Sequence, residues 1–163
     1  MMMKALTIWQ PWASLIMIGA KPHEWRGYAA PKAVQNRRIV IHAGARPVRP
    51  AEVEDLLRRI EADMNGTAKP GEATHLDLEK ARALLLRVQA AHKYQLLPTS
   101  HALGTVMLGV PVHGADLFKM PGADSDRANY NWAWPVSEIE HFEPPIPMRG
   151  AQGFFNVDLG AAA

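Results

Sequence analysis

The strongest constraint on this chain is where its two periodicities fall. Strand-like runs lie before residue 45 and after residue 98, and helical spacing lies between them. Residues 4–8 end in Thr7 and Ile8, and residues 37–42 (RRIVIH) form a compact β-branched run of the kind that makes a buried strand. After Pro98, residues 104–112 are rich in Val and Leu, residues 132–135 and 139–142 read as strands, Pro144, Pro145 and Pro147 mark an extended edge, and residues 153–159 (GFFNVDL) read as a last strand. Strands supplied by both ends of a chain must meet around whatever separates them. The pattern therefore predicts an α+β fold, a small closed sheet bearing inserted helices, with no internal repeat.

The helices are placed by their end signals. Residues 13–18 are apolar on all sides, which predicts a short buried helix; Pro11 suits its first turn and Gly19 ends it. Residues 21–25 follow as an extended segment. Pro50 opens a second helix with Glu52, Glu54 and Asp55 at the end of the dipole that favours acids, and Val53, Leu56, Leu57, Ile60 and Met64 repeat at helical spacing. Residues 65–74, with Gly66, Pro70 and Gly71, read as a loop. Thr74 and Asp77 resemble a capping box, followed by Leu76, Ala81, Leu84, Leu85 and Val88 on one face. These two helices predict a hairpin at about 50–95 on the edge of the core. Residues 120–131 read as a turn-rich loop, and residues 160–163 as a fraying tail. A length of 163 residues fits a single domain, 1–163, carrying such an insertion.

Composition removes several classes of chemistry. With no cysteine there is no disulfide framework, thiolate zinc site or cysteine nucleophile. No apolar stretch approaches the roughly 20 residues that span a bilayer, the first residues do not read as a secretory signal, and a cytoplasmic location is the simplest expectation. The net charge of +2 hides an asymmetry. Residues 1–49 hold eight cations against one acid, Glu24, a net of +7; residues 50–101 hold seven against eight, −1; residues 102–163 hold three against seven, −4. A basic end points to an anionic partner, with nucleic acid the commonest, unless its cations pair with the acidic C-terminal part.

The segment Gly19-Ala20-Lys21-Pro22-His23-Glu24-Trp25-Arg26 concentrates ionisable groups between an apolar helix and a buried strand. Glu24 and Arg26, two apart in an extended segment, share a face, and Lys21 joins them if Pro22 bends the chain. A lysine near apolar walls and a second cation is a candidate base or nucleophile; the bland alternative is a salt bridge closing the sheet. Trp9, Trp25 and Tyr28 are candidates for a base-stacking cleft, with Gln10 placed to read a base edge, whereas Trp12 and Trp134 are expected in the core. The seven histidines show no metal-binding spacing, so no dedicated metal site is expected; a weakly held Mg or Mn ion at Glu24 remains open.

That eight-residue segment resembles the GxKxxExR signature of ASCH domains, a branch of the PUA-like superfamily. Residues 5–13 (ALTIWQPWA) are similar to that family's first strand and helix, residues 39–43 to the strand after the signature, Gly104-Thr105-Val106 to the start of its next strand, and residues 132–136 and 150–157 (GAQGFFNV) to its C-terminal end. The resemblance covers roughly residues 1–45 and 100–158. It implies a small, mostly antiparallel β-barrel with surrounding helices, a cleft beside the signature, and recognition of RNA or of a nucleotide or nucleoside.

Some members of the family resemble amidohydrolases of N4-acetylcytidine that use Lys, Thr and Glu; others have been proposed as metal-dependent ribonucleases. Lys21 matches the signature lysine and Arg26 the signature arginine, which suits phosphate or carboxylate. Glu24 stands where the hydrolase branch has its threonine nucleophile, and no acid follows the strand near Leu108-Gly109-Val110, the nearest being Asp116.

Three roles follow. In a binding module, Lys21, Glu24 and Arg26 hold a nucleotide or RNA end while Arg37, Arg38, Arg46 and Arg49 contact phosphates. In a hydrolase, Lys21 is base or electrostatic stabiliser and Glu24 activates water or holds a metal ion. In an interaction protein, the three form a buried ion network.

Overall fold

The computed structural model describes residues 1–69, 72–117 and 131–160. The elements in order are β1 (Met2–Ile8), α1 (Trp12–Met17), β2 (His23–Arg26), a 3-10 turn (Lys32–Val34), β3 (Arg37–Ala43), α2 (Pro50–Asn65), α3 (Leu78–Ala90), a second 3-10 turn (His92–Tyr94), β4 (His101–Leu108), β5 (Val112–His113), α4 (Gly114–Leu117), β6 (Trp132–Pro147) and β7 (Phe154–Asp158). Residues 120–130 of the turn-rich loop expected at 120–131, Pro70 and Gly71, and the tail beyond residue 160 lie outside the described residues.

The strands pair in the order β2-β6-β4-β3-β1-β7, with β5 also on β6. Among the described residues only β1 and β3 run parallel, with Thr7 opposite His42 and Ile8 opposite Ala43; the other pairs are antiparallel. Among the described residues this path starts at β2 and ends at β7 without a pairing between them, so the expected closed sheet is seen as an open mixed one. Helices do separate the strands of the two ends, as the periodicity predicted.

The expectation of separate strands at 132–135 and 139–142 is corrected. β6 is one strand of 16 residues whose first part pairs with β2 and β5 and whose remainder pairs with β4. It turns by irregularity rather than by breaking: the register shifts twice opposite β4, and Glu138 has a φ of 48°. Pro144, Pro145 and Pro147 sit in its last part, where Pro147 lies opposite His101. Gly104 faces this strand so closely that a Cβ would stand 2.1 Å from the Glu140 carbonyl oxygen and 2.6 Å from Met17 Cε. Only glycine fits that crossing.

Helix α1 joins two cores. Ala13, Ile16 and Met17 pack with Leu6, Ile39, Ile41, Val106 and Trp134 under the sheet. Leu15 and Ala20 instead enter a second cluster with Val53, Ile60, Ala81, Leu85 and Val88 from α2 and α3. The inserted hairpin is thus anchored through α1, and the Asp77 amide donates to the Ala20 carbonyl at 2.8 Å. Gly19 takes φ +76°, a left-handed exit open to glycine, while the amides of Ala20 and Lys21 both bond the Leu15 carbonyl. The capping residue of α3 is Asp77, which accepts from the Lys80 amide, rather than Thr74. Thr74 turns inward and donates its hydroxyl to Asp63 at 2.7 Å. No helix among the described residues is long and apolar enough to cross a membrane.

Candidate ligand-binding cleft

One cleft of about 1010 Å³ gathers residues from both ends of the chain and from the insert. Trp9 and Trp12 come from the β1–α1 connection, Lys21 to Arg26 from β2 and its approach, and Gly44 to Arg46 from the end of β3. Asp55, Leu56 and Arg59 of α2 and Thr74 to Leu76 build a further wall, and residues 149–153, between β6 and β7, complete the lining. The helical insert is therefore part of the site.

The sequence places Lys21, Glu24 and Arg26 together, and the structure does so. Glu24 is 6% exposed, in a strand whose alternation turns it inward. Lys21, 8% exposed, brings Nζ to 2.5 Å from Glu24 Oε2, and Arg26 Nε donates to Glu24 Oε1 at 2.9 Å. Each carboxylate oxygen thus takes a cation, so neither is left bare to activate water. The same occupancy bears on a divalent ion at Glu24, which would have to displace both cations. No cluster of three His, Asp or Glu side chains able to hold a metal forms among the described residues. Arg26 uses only Nε in this triad. Its two terminal nitrogens have no hydrogen-bond partner among the described residues, and the guanidinium lies 5.9 Å from the centre of the Trp134 ring.

His23 lies beside the triad and its ring is 6.1 Å from that of Trp25. Burial, and then the charge of Lys21, hold its pKa below the usual histidine value of 6.5. Trp25 is half-buried on the cleft wall and stands 6.4 Å from His75, a residue held at φ 56°. Trp9 is 55% exposed, but one face carries the Arg46 guanidinium at 4.0 Å.

Several expected contacts lie elsewhere. Gln10 is fully buried; its amide nitrogen donates to the Pro98 carbonyl at 2.9 Å and its Oε1 accepts from the Ser14 amide at 3.0 Å. It caps the start of α1 and does not line the cleft. Tyr28 is exposed, packs edge-on against Trp134 and is also off the cleft. Trp134 is in the core as expected, with Nε1 donating to the Tyr28 carbonyl, while Trp12 is half-buried and lines the cleft as well as packing on both cores.

The basic end is largely answered by acids. Arg38 pairs with Glu138 and Glu140 of β6, Arg46 makes a two-pronged contact with Glu52 at 2.9 and 2.7 Å, and Arg49 reaches Glu52 at 3.9 Å. Of the four arginines expected on phosphates, only Arg46 lines the cleft; Arg37, Arg38 and Arg49 do not. The cations that sequence reasoning passed over are Arg59, paired with Asp55, and Arg149, exposed on the wall with no side-chain partner among the described residues. The signal for Arg149 was present, since it directly precedes the GAQGFFNV stretch.

No family model matches the chain, and no curated protein does. Among solved structures it is similar to the crystal structure of ASCH from Zymomonas mobilis, at 13% identity and a TM-score of 0.45, over 95% of this chain and 87% of that one.

Proposed function

We propose that this chain is an ASCH-type, PUA-like protein whose cleft binds RNA or a nucleotide through its phosphate and one unstacked base. The reading is supported above all by Arg26. Glu24 fixes its Nε and leaves two planar donors on the cleft wall, the fork geometry that suits a phosphate. Arg149 supplies a second cation in the same cleft, and half-buried Trp25 an aromatic ring on its lining. Lys21 and Glu24 act in this reading as the support that holds Arg26, and no step is assigned to a metal ion.

A filter-binding titration of a short single-stranded RNA across salt concentrations tests the proposal. With two phosphate contacts, the affinity should fall with a log–log slope of about −1.4. Absence of binding at low salt refutes it.

A further inference from the structure

The cleft holds a second pair of groups apart from the ion triad. Thr7 in β1 and His42 in β3 are opposite one another in the parallel ladder, and Thr7 Oγ1 lies 3.1 Å from His42 Nδ1. The other ring nitrogen, Nε2, is 2.7 Å from the Met148 carbonyl oxygen. A carbonyl oxygen only accepts, so Nε2 carries the hydrogen. In the neutral ring Nδ1 is then the bare nitrogen, and the Thr7 hydroxyl is the donor. A hydroxyl bonded to a base nitrogen, with the base oriented through its other nitrogen, is the arrangement that makes a weak nucleophile reactive.

Burial is divided as such a pair requires. His42 is 1% exposed and held in place, Thr7 is half-buried, and both line the cleft. Gly150 lies directly over the hydrogen bond: a Cβ there would come within 2.6 Å of His42 Nδ1 and 2.8 Å of Thr7 Oγ1. The backbone amides of residues 150–152, in the same loop, have no hydrogen-bond partner among the described residues. Residues 150–152 line the same cleft as Thr7 and His42, and backbone N–H donors are what a developing oxyanion needs.

We infer that Thr7 and His42 form a nucleophile–base pair acting on a carboxylic ester, carried by an anionic ligand in the cleft. The ester class follows from the groups present: a neutral hydroxyl and a neutral ring can attack a carbonyl carbon without further charge. The anionic part of the ligand rests on the reading of Arg26 and Arg149 given above; the pair itself does not. Thr7 Oγ1 bonds to the carbonyl carbon as its proton passes to His42 Nδ1. The tetrahedral oxyanion collapses, the bond to the leaving alcohol breaks, and that oxygen takes the proton from Nδ1. Water, deprotonated in turn by Nδ1, then splits the acyl–Thr7 ester, releasing the carboxylic acid and restoring the threonine.

The test is hydrolysis of p-nitrophenyl acetate by the full chain, with mass spectrometry of the digested protein after brief exposure. The expected result is an acetyl group on the peptide containing Thr7 and a rate that falls about 10²–10⁴-fold in Thr7→Val and in His42→Gln. Thr7→Ser, which keeps the hydroxyl in the same strand, should restore the adduct and activity that Thr7→Val loses. A Thr7→Val rate equal to that of the unsubstituted protein, or acetylation confined to lysines, overturns the inference, and neither result requires His42→Gln to fold. RNA binding measured on the same preparation separates the two proposals. Affinity for RNA without Thr7-dependent acetylation refutes this inference alone, and Thr7-dependent acetylation without RNA affinity refutes the nucleic-acid reading alone.

Discussion

Replacing Glu24 by alanine tests whether the ion triad is a structural support for the cleft. The side chains of Glu24 and Lys21 are 8% and 10% exposed and touch at 2.5 Å. At an effective dielectric constant of about 20, two unit charges at that distance attract by about 6–7 kcal/mol, and desolvation of both ions offsets much of it. The substitution removes the attraction and takes Glu24 away from a buried Lys21, and breaking a buried pair in this way costs about 3–5 kcal/mol. Arg26, with 26% of its side chain exposed, recovers water and adds little.

In urea denaturation, Glu24→Ala should therefore lose about 3–5 kcal/mol, with a melting temperature lower by roughly 10 °C for a chain of this size. The double variant Lys21→Met, Glu24→Met removes both buried charges and should recover most of that loss. A Glu24→Ala protein within about 1 kcal/mol of the unsubstituted chain would refute the reasoning, because the buried pair would then contribute nothing that its loss exposes.

Three other consequences follow from the site and the sheet. Arg149→Ala should weaken single-stranded RNA binding and make the log–log salt slope shallower by about 0.7, while leaving the urea midpoint unchanged. Gly104→Ala forces a Cβ against the Glu140 carbonyl at 2.1 Å and should fail to reach the native near-ultraviolet circular dichroism, since backbone rather than a flexible side chain blocks it. His23 has its folded pKa below 6.5, so the stability it contributes is present above pH 6.5 and is lost as pH falls from there through the folded value. His23→Gln should flatten that part of the stability profile in denaturation series. An anion bound beside it should favour the protonated ring, which predicts proton uptake on RNA binding in calorimetry across buffers.

How much of this was legible depends on the range of the interaction. Gly19, Lys21, Glu24 and Arg26 lie within eight residues, so local alternation and one left-handed turn were enough to bring them together. The hairpin helices were legible for the same reason, each carrying its own apolar stripe. Local periodicity carries no information on partners distant in sequence. Gln10 looked exposed beside two tryptophans, but its amide satisfies the backbone of Pro98 and Ser14. Arg38 looked free because Glu138 and Glu140 are 100 and more residues away. Thr7 and His42 meet only because β1 and β3 pair in parallel, and Met148 closes the chain of bonds from a third segment. The 16-residue β6 reads as two strands in the sequence because its bulges and prolines interrupt the alternation that marks a strand.

The binding of an anionic ligand beside Trp25 and Arg26 is tested most directly by following the five tryptophan indole N–H signals and the arginine side chains by nuclear magnetic resonance during titration with a short single-stranded RNA. The account predicts shifts at Trp25, Arg26 and Arg149, with Arg37 and Arg38 unmoved. Shifts centred on Arg37 and Arg38, with Trp25 and Arg26 unaltered, would contradict it.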